Sequence, residues 1–488
     1  MKPKTKKTTA KLLALLLAAV FAAGICACAK KPDSPKLTHS IVHFYSPSDG
    51  MTSFFLDADK LSDQIGGSVT KIATVDGTKG FVTAATALYH IDGEGILKIY
   101  PAAVTNAVLS LDARFILFST STEVFLYDHE AKNYVKLPDI DCKTVAGLVL
   151  SPSGDAAGIT VTDSENRINS YVYSDGKLEL YGSDRCIAAI ADGGNISYYL
   201  AAPDGEVGGD LYYVKDGKET LIGENAENYF ELNRDLTEIT FDVNAKTYIS
   251  RNGKKAEKLV DASVLSYSGA QYAVQGGKAV STLLKNTNTL VDSIFYTNIT
   301  AEHEDGYKLS EYNVYYVDHA LHVTELVLGA SQFTVAEDGK SILCTVDENL
   351  YRVSVYKSRK PEKIANGIYT YCCTPDLKTI YPVSTGGNLW RIENGQSSVV
   401  LLQGVQLVKM MKNGTVICYA PLESNGTLMW LKDDRANAIA TNVSYFEIYP
   451  QMAAYLSDYD SDANTYDLYI STDGVTFTLG AEDVRIGQ

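Results

Sequence analysis

The chain has 488 residues, 45% of them hydrophobic, and a formal net charge of −16 at neutral pH. That length allows more than one domain, and an acidic balance with no basic stripe excludes nucleic acid as a partner. With 33 tyrosines and no long helical period after the first 28 residues, strands are expected throughout.

Residues 1–28 read as a targeting segment outside the fold. Lys2, Lys4, Lys6, Lys7 and Lys11 give a positive start, and Leu12 to Ala23 is an apolar run. It is shorter than the roughly 20 residues a membrane-spanning helix needs. It leads into Ile25-Cys26-Ala27-Cys28, which resembles a bacterial lipobox with Cys28 as the lipidated residue. Cys26 fits less well, because bulky Ile25 would precede it. The expected product is an extracytoplasmic protein anchored to the membrane by the acyl chains on Cys28. Residues 29–40 form a polar tether containing Pro32 and Pro35.

A repeat begins beyond the tether, and residues 334–353 display it best. A turn at Asp338-Gly339 is followed by a strand, Ser341 to Val346. A polar turn, Asp347-Glu348-Asn349, then leads to a second strand that opens with Leu350-Tyr351. Equivalent aromatic marks are Tyr89, Tyr127, Tyr171, Tyr212 and Tyr248 in the first half, then Trp390, Trp430 and Tyr469 after Tyr351. From Tyr351 onward the steps are 39, 40 and 39 residues. A period near 40 with short strands and frequent turns predicts an all-β chain of β-propeller blades. In that fold Tyr89, Tyr127, Tyr212, Tyr351, Trp390, Trp430 and Tyr469 are expected to pack between blades. One unit near Leu283-Leu284 is expected to have lost its mark.

The order Asp-Gly-Lys, strand, polar turn, Leu-Tyr resembles the TolB-type, WD-like propeller repeats of bacterial envelope proteins over most of residues 40–480. The resemblance implies a propeller scaffold and no single activity, because such scaffolds host many. At about 38 residues per unit the chain exceeds one ordinary propeller. Two tandem propellers are expected, 41–260 and 261–488, with a single propeller of about eight larger blades as the alternative.

Few residues nominate themselves for chemistry. Asp458, Asp460, Asp462 and Asn464 alternate on one loop and could turn oxygens toward Ca²⁺. Ala463 stands where an EF-type loop has glycine, and Tyr469 where it has a carboxylate, so a solvated hairpin loop is the competing reading. Ser471 to Phe477 resembles the Asp-box of sialidase-type propellers with its glycine one residue early, and reads as turn chemistry. Six cysteines follow Cys28: Cys142, Cys186, Cys344, Cys372, Cys373 and Cys418. They lack metal-site spacing, and buried free thiols are expected. No G-x-S-x-G, H-E-x-x-H, Walker or dinucleotide motif occurs, so no catalytic residue is nominated. The functional expectation is a non-catalytic, membrane-anchored lipoprotein whose propeller binds a protein or glycan partner. The alternatives are a polysaccharide-active hydrolase or lyase on the same scaffold, and a structural factor in envelope assembly.

Overall fold

The computed structural model describes the backbone of residues 40–484 except 47–49, 58–59, 62–68, 76–78, 93–94, 139, 202–207, 228, 268–270, 277–279, 303–307, 357–359, 423–424, 433, 444, 449–451 and 462–464. Cys28 and the tether up to residue 39 therefore lie outside the described residues. The fold is all-β. Ten sheets follow one another among the described residues, and eight of them have four strands. The other two contain the same four-stranded meander with additions. No described helix is long and apolar enough to cross a membrane.

The seventh blade shows how the sequence makes this unit. Its inner strand Gln332–Val335 pairs with Ser341–Val346, which pairs with Asn349–Ser354 and then with the outer strand Glu362–Asn366. Ile342, Leu343 and Cys344 are buried in succession, so both faces of that strand are covered, as blade stacking requires. The first turn is closed by the Gly339 N–H donating to the Ala336 carbonyl and the Lys340 N–H donating to Asp338 Oδ1, both at 2.9 Å. Gly339 is left-handed, φ +66°. Leu236 and Leu377 hold the same turn position in the fifth and eighth blades with φ of +52° and +57°. Both are only 1% exposed, so burial of the side chain offsets the roughly 1–2 kcal/mol that a left-handed L-residue costs.

The apolar-aromatic mark coincides with a backbone irregularity. In eight blades the ladder between the third and outer strands shifts register at a pair of residues around the mark, and four of these ladders carry a second shift just before it. The pairs at the mark are Leu88/Tyr89, Ser170/Tyr171, Leu211/Tyr212, Thr247/Tyr248, Val314/Tyr315, Leu350/Tyr351, Leu428/Met429 and Leu468/Tyr469. Each shift leaves one extra residue on the outer strand, and Ile99, Ile222, Leu259 and Leu326 turn that residue into the core. A β-bulge increases local twist. In the ninth blade the bulge falls at Met429, so Trp430 lies one residue past the repeated position.

Successive blades are stitched by hydrogen bonds that span one repeat. Asn106 Nδ2 donates to the Val145 carbonyl and Gln332 Nε2 to the Tyr371 carbonyl, at 3.1 and 3.0 Å, each across 39 residues. Ser153 donates through its N–H and hydroxyl to Asp192 Oδ1, also across 39. The Tyr198 hydroxyl donates to the carbonyl of left-handed Leu236 at 2.9 Å.

Between Leu265–Tyr267 and Ser293–Glu302 of the sixth blade, the chain leaves its own sheet. It forms a hairpin of Gln271–Gly276 and Ser281–Lys285. The second strand pairs in parallel with Tyr229–Leu232, the inner strand of the fifth blade. The first lies against the inner strands of the first three blades, Val69–Val75, Asn106–Leu109 and Thr144–Leu150. The Thr282 hydroxyl donates to the Ala188 carbonyl in the fourth blade at 2.8 Å. The hairpin thus occupies the axis shared by the first five blades. The stretch around Leu283-Leu284 is this hairpin rather than a blade without its mark. Pairing of a hairpin to a remote sheet leaves no local signal that would separate the two.

Candidate functional site

With the axis of the first five blades filled, an open concavity lies among the later blades. A cleft of about 930 Å³ is lined from the sixth blade to the tenth. The seventh to tenth blades contribute residues near the start of their inner strands, the seventh also the turn Asp347-Glu348 and the ninth Tyr419 of its second strand, while the sixth contributes Ser310 and Glu311 of its third strand and Gly329 of its outer strand. Three rings line it: Tyr369, Tyr419 and Phe446. Tyr369, near the start of Ile368–Cys373, is 59% exposed. Tyr419 and Phe446 belong to adjacent blades, and their ring centroids are 4.8 Å apart at 32°. Gly426 makes room for the first of them, because a Cβ there would collide with the Tyr419 ring. The buried Tyr371 hydroxyl donates to the Leu343 carbonyl at 2.9 Å and ties the seventh and eighth blades together.

Carboxylates supply the charge. Glu311, Asp347 and Glu348 line the cleft, and no lysine, arginine or histidine is among its described lining residues. Asp347 and Glu348 are exposed and form the two-residue turn between Ser341–Val346 and Asn349–Ser354. Both are left-handed, with φ of +46° and +58°, the backbone of a type I′ hairpin turn. The turn is held by Asn349 Nδ2 donating to the Asp347 carbonyl and the Ile368 N–H donating to the Glu348 carbonyl, both at 2.7 Å. The carboxylates are therefore presented on a fixed backbone. Gln332 also lines the cleft, but its amide is engaged with Tyr371 and Thr370 and serves blade stacking.

A second, smaller concavity of about 280 Å³ lies between the fifth and sixth blades, with Arg251, Lys254, Lys255 and His319 in its wall. Arg251 Nη1 donates to the His319 carbonyl at 2.8 Å and closes the seam there.

The residues singled out from sequence are dispersed. Asp458 and Asp460 end the second strand of the tenth blade and are exposed, and Asp458 Oδ2 accepts the Tyr469 hydroxyl at 3.2 Å. Asp462 and Asn464 lie outside the described residues. Among the described residues no group of three metal-ligating side chains gathers. Tyr89, Tyr212, Tyr351, Trp390, Trp430 and Tyr469 are half-buried, whereas Tyr127 is 1% exposed. The leucine before the aromatic, at 88, 211, 350, 389 and 468, is fully buried. Tyr127 reverses this pattern because its ladder has no bulge. The resembled Asp-box is a self-contained turn. Burial pushes the Asp473 carboxyl up, but N–H donors from Val475 and Thr476 and the Ser471 hydroxyl outweigh it and hold the group below the usual range. Among the described cysteines all are free thiols, three buried and three half-buried.

Sequence reasoning did not single out the cleft rings. Tyr369 and Phe446 each sit in an aromatic-rich opening of an inner strand, Tyr369-Thr-Tyr371 and Tyr445-Phe446. That was the available signal.

No family model and no curated protein matches the sequence. Among solved structures, the chain is similar to a eukaryotic initiation factor at 12% identity, covering 91% of this chain and 97% of that one, with a TM-score of 0.39. A Porphyromonas gingivalis dipeptidyl peptidase 4 is 11% identical over 78% of this chain and 59% of its own, with a TM-score of 0.34. An oligogalacturonate lyase in complex with manganese is 10% identical over 72% and 94%, with a TM-score of 0.33.

Proposed function

We propose that this chain is a non-catalytic binding protein, lipid-anchored outside the cytoplasm through Cys28, that holds a protein or glycan partner in the cleft of its later blades. The observation that carries the reading is the cleft itself. It is open and lined by exposed Tyr369, by the half-buried rings of Tyr419 and Phe446 and by carboxylates on a rigid turn, while the axis of the earlier blades is filled by the chain's own hairpin. Aromatic faces supply contact area at low entropic cost, and fixed acceptors supply orientation. The TolB-type resemblance and the lipobox-like Ile25-Cys26-Ala27-Cys28 support a bacterial envelope location for such a receptor, where a structural part in envelope assembly is a variant of the same reading.

A second reading is favoured by one feature. Three carboxylates share the cleft, and a polysaccharide-active enzyme needs a pair of them across the scissile bond.

The test is a glycan array and an envelope pull-down with the full-length chain in mild detergent, with and without calcium. Wild type is compared with Tyr369→Ala. Capture that Tyr369→Ala abolishes supports the cleft as the binding site. Shortened glycan products would replace binding with catalysis. A dependence on calcium would bring the Asp458–Asn464 loop into the site. Capture that is indifferent to Tyr369→Ala would remove the cleft from the function.

A further inference from the structure

Resting on the reading of the cleft as the binding site, we infer that its occupant is a protein segment presenting lysine or arginine side chains. Two independent features of the lining converge on a cation. The first is charge. Glu311, Asp347 and Glu348 face the cleft with no cationic residue among the described lining, and the chain as a whole carries −16. The cationic side chains Arg251, Lys254 and Lys255 are gathered instead at the smaller concavity between the fifth and sixth blades. The second is the rings. An aromatic face is the negative end of a quadrupole and attracts ammonium and guanidinium groups. Exposed Tyr369 offers such a face beside the carboxylates, and the half-buried, mutually packed rings of Tyr419 and Phe446 extend it.

Size and surroundings favour a polypeptide over a lone amine. The cleft spans five blades at about 930 Å³, far more than one ammonium group fills. Exposed apolar and aromatic side chains also occur on the strands that line it, Leu328 at 49% and Tyr445 at 52%. Tyrosine-rich surface around a charged centre is the composition of a protein interface.

The experiment titrates the full-length chain in detergent with a lysine decapeptide, a glutamate decapeptide and neutral β-linked oligosaccharides, by calorimetry. Each titration is run at low and high salt. The variants are the Asp347→Asn/Glu348→Gln double substitution, Tyr369→Ala, and Lys254→Ala/Lys255→Ala as a control remote from the cleft. All substituted side chains are exposed, and circular dichroism checks the fold. The expected result is saturable binding of the lysine peptide alone. It weakens about tenfold from low to high salt and about three- to tenfold in the double variant. It weakens further in Tyr369→Ala and is unchanged in the control. Neutral oligosaccharide binding that is lost in Tyr369→Ala but indifferent to salt and to the double variant overturns the cationic occupant and leaves the cleft as the site. Lysine-peptide binding that ignores every cleft substitution is diffuse attraction to an acidic surface and also overturns the inference. Absence of any saturable binding up to about 1 mM, the weakest affinity worth assigning to a site, overturns the inference and the cleft together.

Discussion

Lys285 and Glu231 form an ion pair at 3.5 Å with side chains 0% and 2% exposed. Lys285 Nζ also donates to the Ser266 carbonyl at 3.1 Å, and the Ser266 N–H and hydroxyl donate to Glu231 Oε2. Three inner elements meet there: the fifth blade's first strand, the axial hairpin and the sixth blade's first strand. Burial raises the Glu231 carboxyl and lowers the Lys285 ammonium, and their mutual attraction opposes both shifts.

Removing one partner strands the other charge in the core. Lys285→Met should therefore cost about 3–5 kcal/mol, while Lys285→Met combined with Glu231→Leu should recover most of the loss. Denaturant unfolding of the two variants checks this. Equal destabilisation in both would mean that packing of the hairpin, and not charge, dominates the site.

Leu350 is fully buried, whereas its neighbour Tyr351 is half-buried. Leu350→Ala should cost about 2–5 kcal/mol and Tyr351→Ala about 1–2 kcal/mol. The larger loss from Tyr351→Ala would return the packing role to the aromatic member of the pair.

The turn of the fifth blade, Asn244-Ala245, is left-handed at both residues, φ +51° and +56°. Ala245 is exposed, and its N–H donates to Glu227 Oε1 at 3.2 Å. Ala245→Gly keeps that donor and relieves roughly 1–2 kcal/mol of left-handed strain against roughly 0.5–1 kcal/mol of added chain entropy. A net gain of about 0.5 kcal/mol, seen as a small rise in Tm, is expected. A lower Tm would show the turn to be unstrained.

Burial pushes the thiols of Cys186, Cys344, Cys373 and Cys418 up to about 12, and that of Cys142 to about 11. The folded chain thus keeps protons that the unfolded chain gives up near its ordinary value of about 9. Their contribution to stability is whole below that pH and is lost as pH rises from about 9 through 12. Iodoacetamide at pH 8 should leave the buried Cys186, Cys344 and Cys418 unmodified until urea is added. Rapid labelling of Cys344 or Cys418 in the native chain would contradict their burial.

The blade repeat was legible in the sequence because its signals are local. Asp338-Gly339 closes its own turn, and Leu350-Tyr351 marks a bulge whose two sides lie within 16 residues of each other. The axial hairpin was not legible. Tyr229 pairs with Ser281 across a long intervening stretch, and parallel pairing leaves no turn to read. The cleft was half-legible: Asp347-Glu348 stood out as a polar turn, but its company depends on how separate blades pack together. Tyr369, Tyr419 and Phe446 come from three blades, and no spacing rule gathers them.

The hairpin also imposes an order on synthesis. When residue 260 leaves the ribosome, the first five blades exist as sequence, but the strands that belong on their axis do not. Phe230, Leu232 and Ala188, which share a buried cluster with Leu284 of the hairpin, would lack that partner until Ser281–Lys285 emerges and pairs. A cut at 260 would separate a lock from its bolt. The earlier blades would keep an unfilled centre, and the later ones would carry a hairpin with no strand to join.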